Sequence, residues 1–283
     1  MSRRWLVTVP ASSANLGPGF DCMAAALAPR LELEVAEADR FSLATDLDVA
    51  PGRRNLAVRA FERVHPADGL AFEMRSQIPL SGGLGSSAAA IVAGLAAANA
   101  VGAHDADVLA LAAELEGHAD NAAAALGGGF VICSGGRFER IAVPDGLSAC
   151  VVVPHAALDT RTARGALSER VPLADAVFNA AHAALLALAL ERGDLELLAR
   201  ALADRLHEAP RAALYPRSAA LAARAGEFGA LAATISGAGP TVLFWVAADA
   251  AEALLERLAG EAQGWAQVLR TPFSPDGLSV REL

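Results

Sequence analysis

The sequence predicts an α+β fold in two halves, on three observations. Short runs rich in β-branched and aromatic residues, such as Trp5 to Val9 and Val242 to Val246, are interleaved irregularly with Ala- and Leu-rich helical runs. A glycine-serine loop, Pro79 to Ala88, separates a strand-like run from a helical one. A second glycine turn, Ser236 to Thr241, joins two strand-like runs as a hairpin would. With 283 residues and 54% hydrophobic content the chain can bury one large or two modest cores.

The elements follow in order. Trp5 to Pro10 reads as a strand ended by proline, and Ala11 to Asp21 as a tight loop of small residues, Asn, Gly and Pro. Leu31-Glu32-Leu33-Glu34-Val35 alternates apolar and acidic residues, the mark of a strand with one wet face. Asn55 is placed to cap a helix that begins at Leu56. Ala71 to Ile78 is a strand feeding the glycine loop, and Ala89 to Ala100 the helix behind it. Asp105 to Glu116 reads as a helix with Leu109, Leu111 and Leu115 inward. Phe130 to Cys133 and Ala149 to Pro154 read as strands, and the halves are divided after the second, 1–153 and 154–283. Val177 to Glu191 and Leu195 to Leu206 form a helical pair split by Gly193-Asp194. Leu231 to Ile235 and Val242 to Val246 make the hairpin; Ala248 to Ala259 is a helix, and Val268 opens a last strand.

Composition excludes several classes of function. A net charge of -9 argues against nucleic acid or an anionic membrane as the main partner. The opening Met1-Ser2-Arg3-Arg4 leads into a short run ended by Pro10, so no signal peptide is expected. The longest apolar stretch, Ala88 to Ala103, reads as a buried helix rather than a span. Cys22, Cys133 and Cys150 lack metal-ligand spacing and are expected as buried free thiols in a reducing cytoplasm. The chain has no lysine, which removes a Walker-type phosphate loop and a protein-kinase site.

What remains is a phosphate cradle without lysine. Pro79-Leu80-Ser81-Gly82-Gly83-Leu84-Gly85-Ser86-Ser87-Ala88 packs three glycines and three serines ahead of a helix. Glycines let backbone N–H groups converge, and the helix adds the positive end of its dipole. Glu114, Glu116, His118, Asp120 and Asn121 form a dense polar set before the triple glycine Gly127 to Gly129.

This loop resembles the phosphate-binding loop of the GHMP small-molecule kinases, Pro-x-x-x-Gly-Leu-Gly-Ser-Ser-Ala. Ser13-Ala14-Asn15-Leu16-Gly17-Pro18-Gly19-Phe20-Asp21 is similar to the N-terminal signature of the homoserine kinases in that family. Ser236-Gly237-Ala238-Gly239-Pro240-Thr241 resembles the family's third signature. Glu116-Gly117-His118-Ala119-Asp120-Asn121 resembles Glu-Gly-His-Pro-Asp-Asn, with alanine for the usual proline and Ala122-Ala123-Ala124 after it instead of Val-Ala-Pro. Two weaker segments, Asp159 to Arg164 and His207 to Arg217, complete the likeness; Arg217 stands where glycine is usual.

The resemblance implies an N-terminal half like domain 2 of ribosomal protein S5 and a ferredoxin-like C-terminal half. It implies ATP-dependent phosphorylation of homoserine in threonine biosynthesis, in the cytoplasm, with Mg²⁺. The loop from Pro79 to Ala88 would hold the nucleotide's phosphates and Asn55 would lie near its base. One hydroxyl and one carboxylate suffice for Mg²⁺, with Ser87 and Glu116 as candidates and Ser86 and Glu114 as neighbouring alternatives. Arg164 and Arg211 match the positions that take the substrate carboxylate, and Asp21 fits its ammonium. Asn15, His118 and Asn121 fit as polar contacts. Asn121 and Thr160 would assist direct in-line attack, with Asp120 as base the lesser reading. Two other readings stand beside this one. One is another GHMP substrate, mevalonate or a sugar; the other is a non-catalytic nucleotide-binding regulator. A homodimer is compatible with any of them.

Overall fold

The computed structural model describes residues 3–80, 82–156 and 158–283; Ser81, a predicted phosphate contact, lies outside them. The strands are β1 (Arg4–Ala14), β2 (Met23–Glu37), β3 (Ser42–Thr45), β4 (Leu70–Ser76), β5 (Phe130–Ser134), β6 (Arg137–Ile141), β7 (Leu147–Pro154), β8 (Ala232–Ile235), β9 (Val242–Ala247), β10 (Ala266–Arg270) and β11 (Ser279–Glu282). The helices are α1 (Leu56–Phe61), α2 (Ser86–Gly102), α3 (Val108–Glu116), α4 (Asp120–Gly127), α5 (Thr160–Gly165), α6 (Leu173–Arg192), α7 (Leu195–Ala201), α8 (Glu208–Arg211), α9 (Pro216–Ala223) and α10 (Ala251–Ala262).

A seven-stranded sheet runs β11-β1-β2-β4-β3, with β5 on β2 and β6 on β5. A four-stranded sheet runs β10-β7-β9-β8. All strand pairs are antiparallel except β3 with β4. Along β2, Leu31, Leu33 and Val35 are buried while Glu32 and Glu34 are not, as the alternation requires. The division expected at 153/154 falls at the end of β7. The change of sheet falls before β7, and β11 returns to the first sheet beside β1.

The second sheet has two apolar faces. Cys150, Val152, Phe244 and Val246 pack with α9 and α10. Val151, Leu243 and Trp245 point the other way and join the core of the first sheet. There Trp245 meets Phe130 and Phe273, with ring centroids 5.8 and 5.1 Å away. The halves therefore share one core.

Several expectations need correction. The loop expected from Ala11 begins only after Ala14, because a bulge at Pro10/Ala11 lets β1 continue along β2. Strands β3, β6 and β11 are too short or too polar for the pattern to announce. On α3, Ala112 is buried with Leu109, whereas Leu111 and Leu115 are half-buried. Cys150 is buried, but Cys22 and Cys133 are half-buried; all three thiols are free. Burial pushes Cys133 up to about 12 and Cys150 up to about 11.

Helix α2 is the spine of the first half, buried from Ala88 to Ala98. It touches α1, α3, α4, β1 and β2. Gly94 lies at its crossing with α1, where a β-carbon would strike the Ala57 carbonyl oxygen. Gly94→Ala should therefore destabilise the protein by about 1–3 kcal/mol through overpacking, despite a helix-propensity gain of about 1 kcal/mol. Urea unfolding of the two proteins measures this; a more stable variant would contradict it.

Candidate active site between the glycine loop and the arginines

A cavity of about 280 Å³ lies where both sheets meet the helices. One wall is the glycine loop and the first turn of α2: Gly83, Gly85, Ser86 and Ser87. Gly85 caps α2 with φ 67°, and a β-carbon there would strike the Ser12 hydroxyl, so only glycine fits. Leu84 and Ala88 turn into the core, Gly82 is buried, and Leu80 is exposed. Pro79, Leu80, Gly82, Leu84 and Ala88 are thus shape-giving members of the loop and do not line the cavity. Asn55 lies outside the lining as well; its side chain accepts from the Ala57 N–H at 2.9 Å and caps α1.

The opposite wall comes from both halves. The loop after β1 turns through Asn15 (φ 73°) and Asp21 (φ 55°). The Asn15 amide donates to the Gly237 carbonyl at 2.7 Å and accepts from the Asp21 N–H at 3.0 Å. Asn15 is a brace for this loop as much as a cavity residue. Asp21 receives a fork of two hydrogen bonds from Arg164, at 2.7 and 2.9 Å. That pairing holds the Arg164 guanidinium above its usual range.

Arg211 is 1% exposed and still lines the cavity. Its Nε donates to the Ala163 carbonyl at 3.1 Å, and its Nη1 to His207 Nδ1 at 3.2 Å. Among the described residues Nη2 has no partner. Burial and then Arg164 draw its pKa down, though an arginine stays charged. Phe20 lies beneath both guanidiniums, 5.3 Å from Arg211 and 5.8 Å from Arg164, and stacks on His207 at 5.2 Å.

At the floor, His118 Nδ1 donates to Asp120 at 2.8 Å, and that carboxylate also accepts the Asn121 N–H at 2.7 Å. The bond to Asp120 raises the His118 pKa against an opposing effect of burial. Asn121 accepts from the Ser12 hydroxyl at 2.8 Å, which leaves its NH₂ for the cavity. Ser87 donates to Glu116, whose carboxyl is raised by burial. Glu114 instead pairs with Arg63 at 2.8 Å and is more than half exposed. Ser86, Ser87 and Glu116 line the cavity, and Glu114 does not. Thr160 lines the cavity at the start of α5, which Asp159 caps. Arg217 lies elsewhere, with its guanidinium 5.9 Å from the Trp265 ring.

Several working residues escaped the reading of the sequence. Ser12, Phe20, His207 and Gly237 each lie inside a quoted string, yet nothing in residue type marks them. Asp204 is the deepest omission. Its side chain is fully buried and accepts the N–H groups of Leu206, His207 and Glu208 and the Asn179 amide.

The N-terminal domain of the GHMP kinases matches residues 55–129, and their C-terminal domain residues 186–262. A homoserine kinase of Gloeobacter violaceus is 44% identical over 272 residues, 89% of this chain and 91% of that protein. One of Synechococcus is 40% identical over 294 residues, 97% and 92% of the two. The crystal structure of homoserine kinase from Cytophaga hutchinsonii superposes with a TM-score of 0.87 at 28% identity, covering 98% and 97% of the two chains. A mevalonate kinase crystal structure shares the fold alone, at TM-score 0.70 and 15% identity.

Asp120 raises the His118 pKa while burial lowers it, so Asp120→Asn should bring the imidazole's titration down. The ring resonances in an NMR pH titration report this. In linkage terms, the pair's stabilisation is full below the unfolded value near 6.5 and fades as pH rises through the elevated folded value. An unmoved titration would assign the elevation to another group.

Proposed function

The chain belongs to the GHMP kinase family, and from that premise we propose that it phosphorylates the hydroxyl of L-homoserine with ATP. The products are O-phospho-L-homoserine and ADP, and the step serves threonine biosynthesis in the cytoplasm. The observation that carries this reading is the charge arrangement of one cavity. The N-terminus of the 17-residue helix α2 stands on one side, with Asp21, Arg164 and Arg211 on the other.

The backbone of Gly83 to Ser87 and the α2 dipole take the triphosphate without lysine. Ser87 and Glu116 fit a Mg²⁺ ion: two hard oxygens already in contact, facing the cavity, with room for water and phosphate. When bound, that ion neutralises charge on the polyphosphate. The substrate zwitterion matches the charges opposite. Its carboxylate suits the unpaired Nη2 of Arg211 and the Arg164 fork. Its ammonium suits Asp21, which exchanges one cationic partner for another.

The hydroxyl oxygen then forms a bond to the γ-phosphorus as the bond to the bridging oxygen of ADP breaks. The Asn121 NH₂ and the Thr160 hydroxyl donate to charge on the transferring group. An amide cannot take the proton, and His118 and the Asn121 N–H both bond Oδ1 of Asp120, which makes that oxygen a poorer base. On this reading the attack proceeds without a protein base, the proton leaving on the product phosphate, and Asp120 as base is the lesser reading. The partners on this reading are two small molecules and a second copy of the chain.

Coupled ADP release should be fast with L-homoserine and absent with mevalonate or a hexose; the reverse order would overturn the substrate. Arg211→Lys should raise KM for homoserine roughly 10- to 100-fold, the loss of one charge-assisted hydrogen bond of about 1.5–3 kcal/mol, and leave KM for ATP unchanged. Glu116→Gln should lower kcat by about a hundredfold and raise the Mg²⁺ needed for half-maximal rate. An unaltered Mg²⁺ requirement would remove Glu116 from the metal.

A further inference from the structure

Arg211 is a buried cation whose hydrogen-bond partners are all neutral. It is 1% exposed, and its donors reach the Ala163 carbonyl, His207 Nδ1 and the Gly237 carbonyl. A charge taken out of water is costly unless an opposite charge or dipole answers it. Burial first, and then the nearby Arg164, draw its pKa down. Arg164 has a counter-ion of its own, Asp21, in the fork at 2.7 and 2.9 Å. Two like charges therefore converge on one cavity wall, and only one of them is paired.

The group that answers them is an aromatic ring. Phe20 lines the cavity, with the Arg211 guanidinium carbon 5.3 Å and the Arg164 guanidinium carbon 5.8 Å from its centroid. Five other rings among the described residues lie under an arginine, and each takes one guanidinium. Those five arginines are exposed, so water already solvates their charge. Phe20 alone takes two cations, and one of them is buried. Its ring is also held in place. It stacks on His207 at 5.2 Å with the planes 27° apart. His207 in turn donates to the Gly17 carbonyl at 2.8 Å and accepts Arg211 at 3.2 Å. Ring, imidazole and guanidinium thus form one interlocked unit.

We propose that Phe20 is a positioning residue for the acceptor: the negative face of its ring stands in for the counter-ion that Arg211 lacks and keeps both guanidiniums converged until a carboxylate arrives. The inference rests on the reading of the two arginines as the acceptor's carboxylate site. When Asp21 passes from Arg164 to the ammonium, the ring stays behind as the fixed partner of both cations. The entering carboxylate meets two cations already in place, and preorganisation of this kind favours binding. The nucleotide wall, made of backbone N–H groups and a helix end, does not depend on the ring. An aliphatic side chain would fill the same space without the quadrupole that attracts a cation.

The decisive series keeps the shape of the ring and drains its quadrupole: Phe20 replaced by phenylalanines bearing one, two and three ring fluorines. KM for homoserine should rise at each step, by about tenfold over the series, the equivalent of two weak ring–cation contacts. The kcat and the KM for ATP should stay unchanged. Phe20→Leu should raise KM for homoserine at least as far; if that variant does not fold, the fluorinated series decides alone. A flat KM for homoserine across the series would overturn the proposal, since packing on His207 would then be all that the ring supplies. A parent inert toward homoserine would remove the substrate reading and this proposal with it, whereas an active parent with a flat series removes the proposal alone.

Discussion

The site depends on the turn between β8 and β9. The Gly237 carbonyl accepts from the Asn15 amide at 2.7 Å and from Arg211 at 3.5 Å, and the Gly237 N–H donates to the Ala14 carbonyl at 3.1 Å. Beside it, the Ser236 hydroxyl reaches the Gly83 carbonyl at 2.7 Å and the Ser13 hydroxyl at 2.8 Å. Two residues thereby fix the glycine loop, the loop after β1 and one arginine relative to one another. The Asn15, Arg211 and Ser13 bonds are buried, where an unmade partner costs about 1–3 kcal/mol. The glycine-loop wall and the arginine wall of the cavity are thus held at a set separation, which the proposed in-line transfer demands.

Beneath the arginines lies a second layer of buried polar groups. His207 donates from Nε2 to the Gly17 carbonyl at 2.8 Å and accepts Arg211 at Nδ1, so it serves as a neutral ring. Burial lowers its pKa in keeping with that role. Glu208 accepts the Ile235 N–H at 2.8 Å, at the free edge of β8. Burial pushes its carboxyl up to about 7. Only Arg211, with its open Nη2, brings charge from this layer to the cavity. The rest of the layer gives the guanidinium one orientation.

The sequence made legible whatever is carried by local chemistry. The glycine loop, the helix behind it, the Asn55 cap and the β8–β9 hairpin all follow from short strings with fixed backbone demands. Ser87 and Glu116 are expected together and the fold puts them in contact, whereas Asp21 and Arg164 are expected on opposite charges of one ligand and the fold pairs them with each other. Illegible were features that depend on what lies opposite. Strand β11 is four exposed residues that become a strand only because β1 offers an edge. Helix α6 reads from composition like a core helix, but its outer face has no cover among the described residues. Asn15 and Asn121 show the same limit: residue type foretold polar contacts in the cavity, while the bonds to Gly237 and Ser12 depend on distant segments.

The aromatic cluster of Phe130, Trp245 and Phe273 bears on how the enzyme is made. Trp245 also donates from its indole to Thr234 at 3.0 Å, which anchors it in its own sheet while its ring lies in the other core. Severed at residue 153, the N-terminal fragment would expose Phe130 to water and lack the strand that covers β1. The C-terminal fragment would bare Trp245 and lose β7 from the middle of its sheet. Neither piece carries a complete hydrophobic interior, so the core closes only when the last strand, β11, reaches β1.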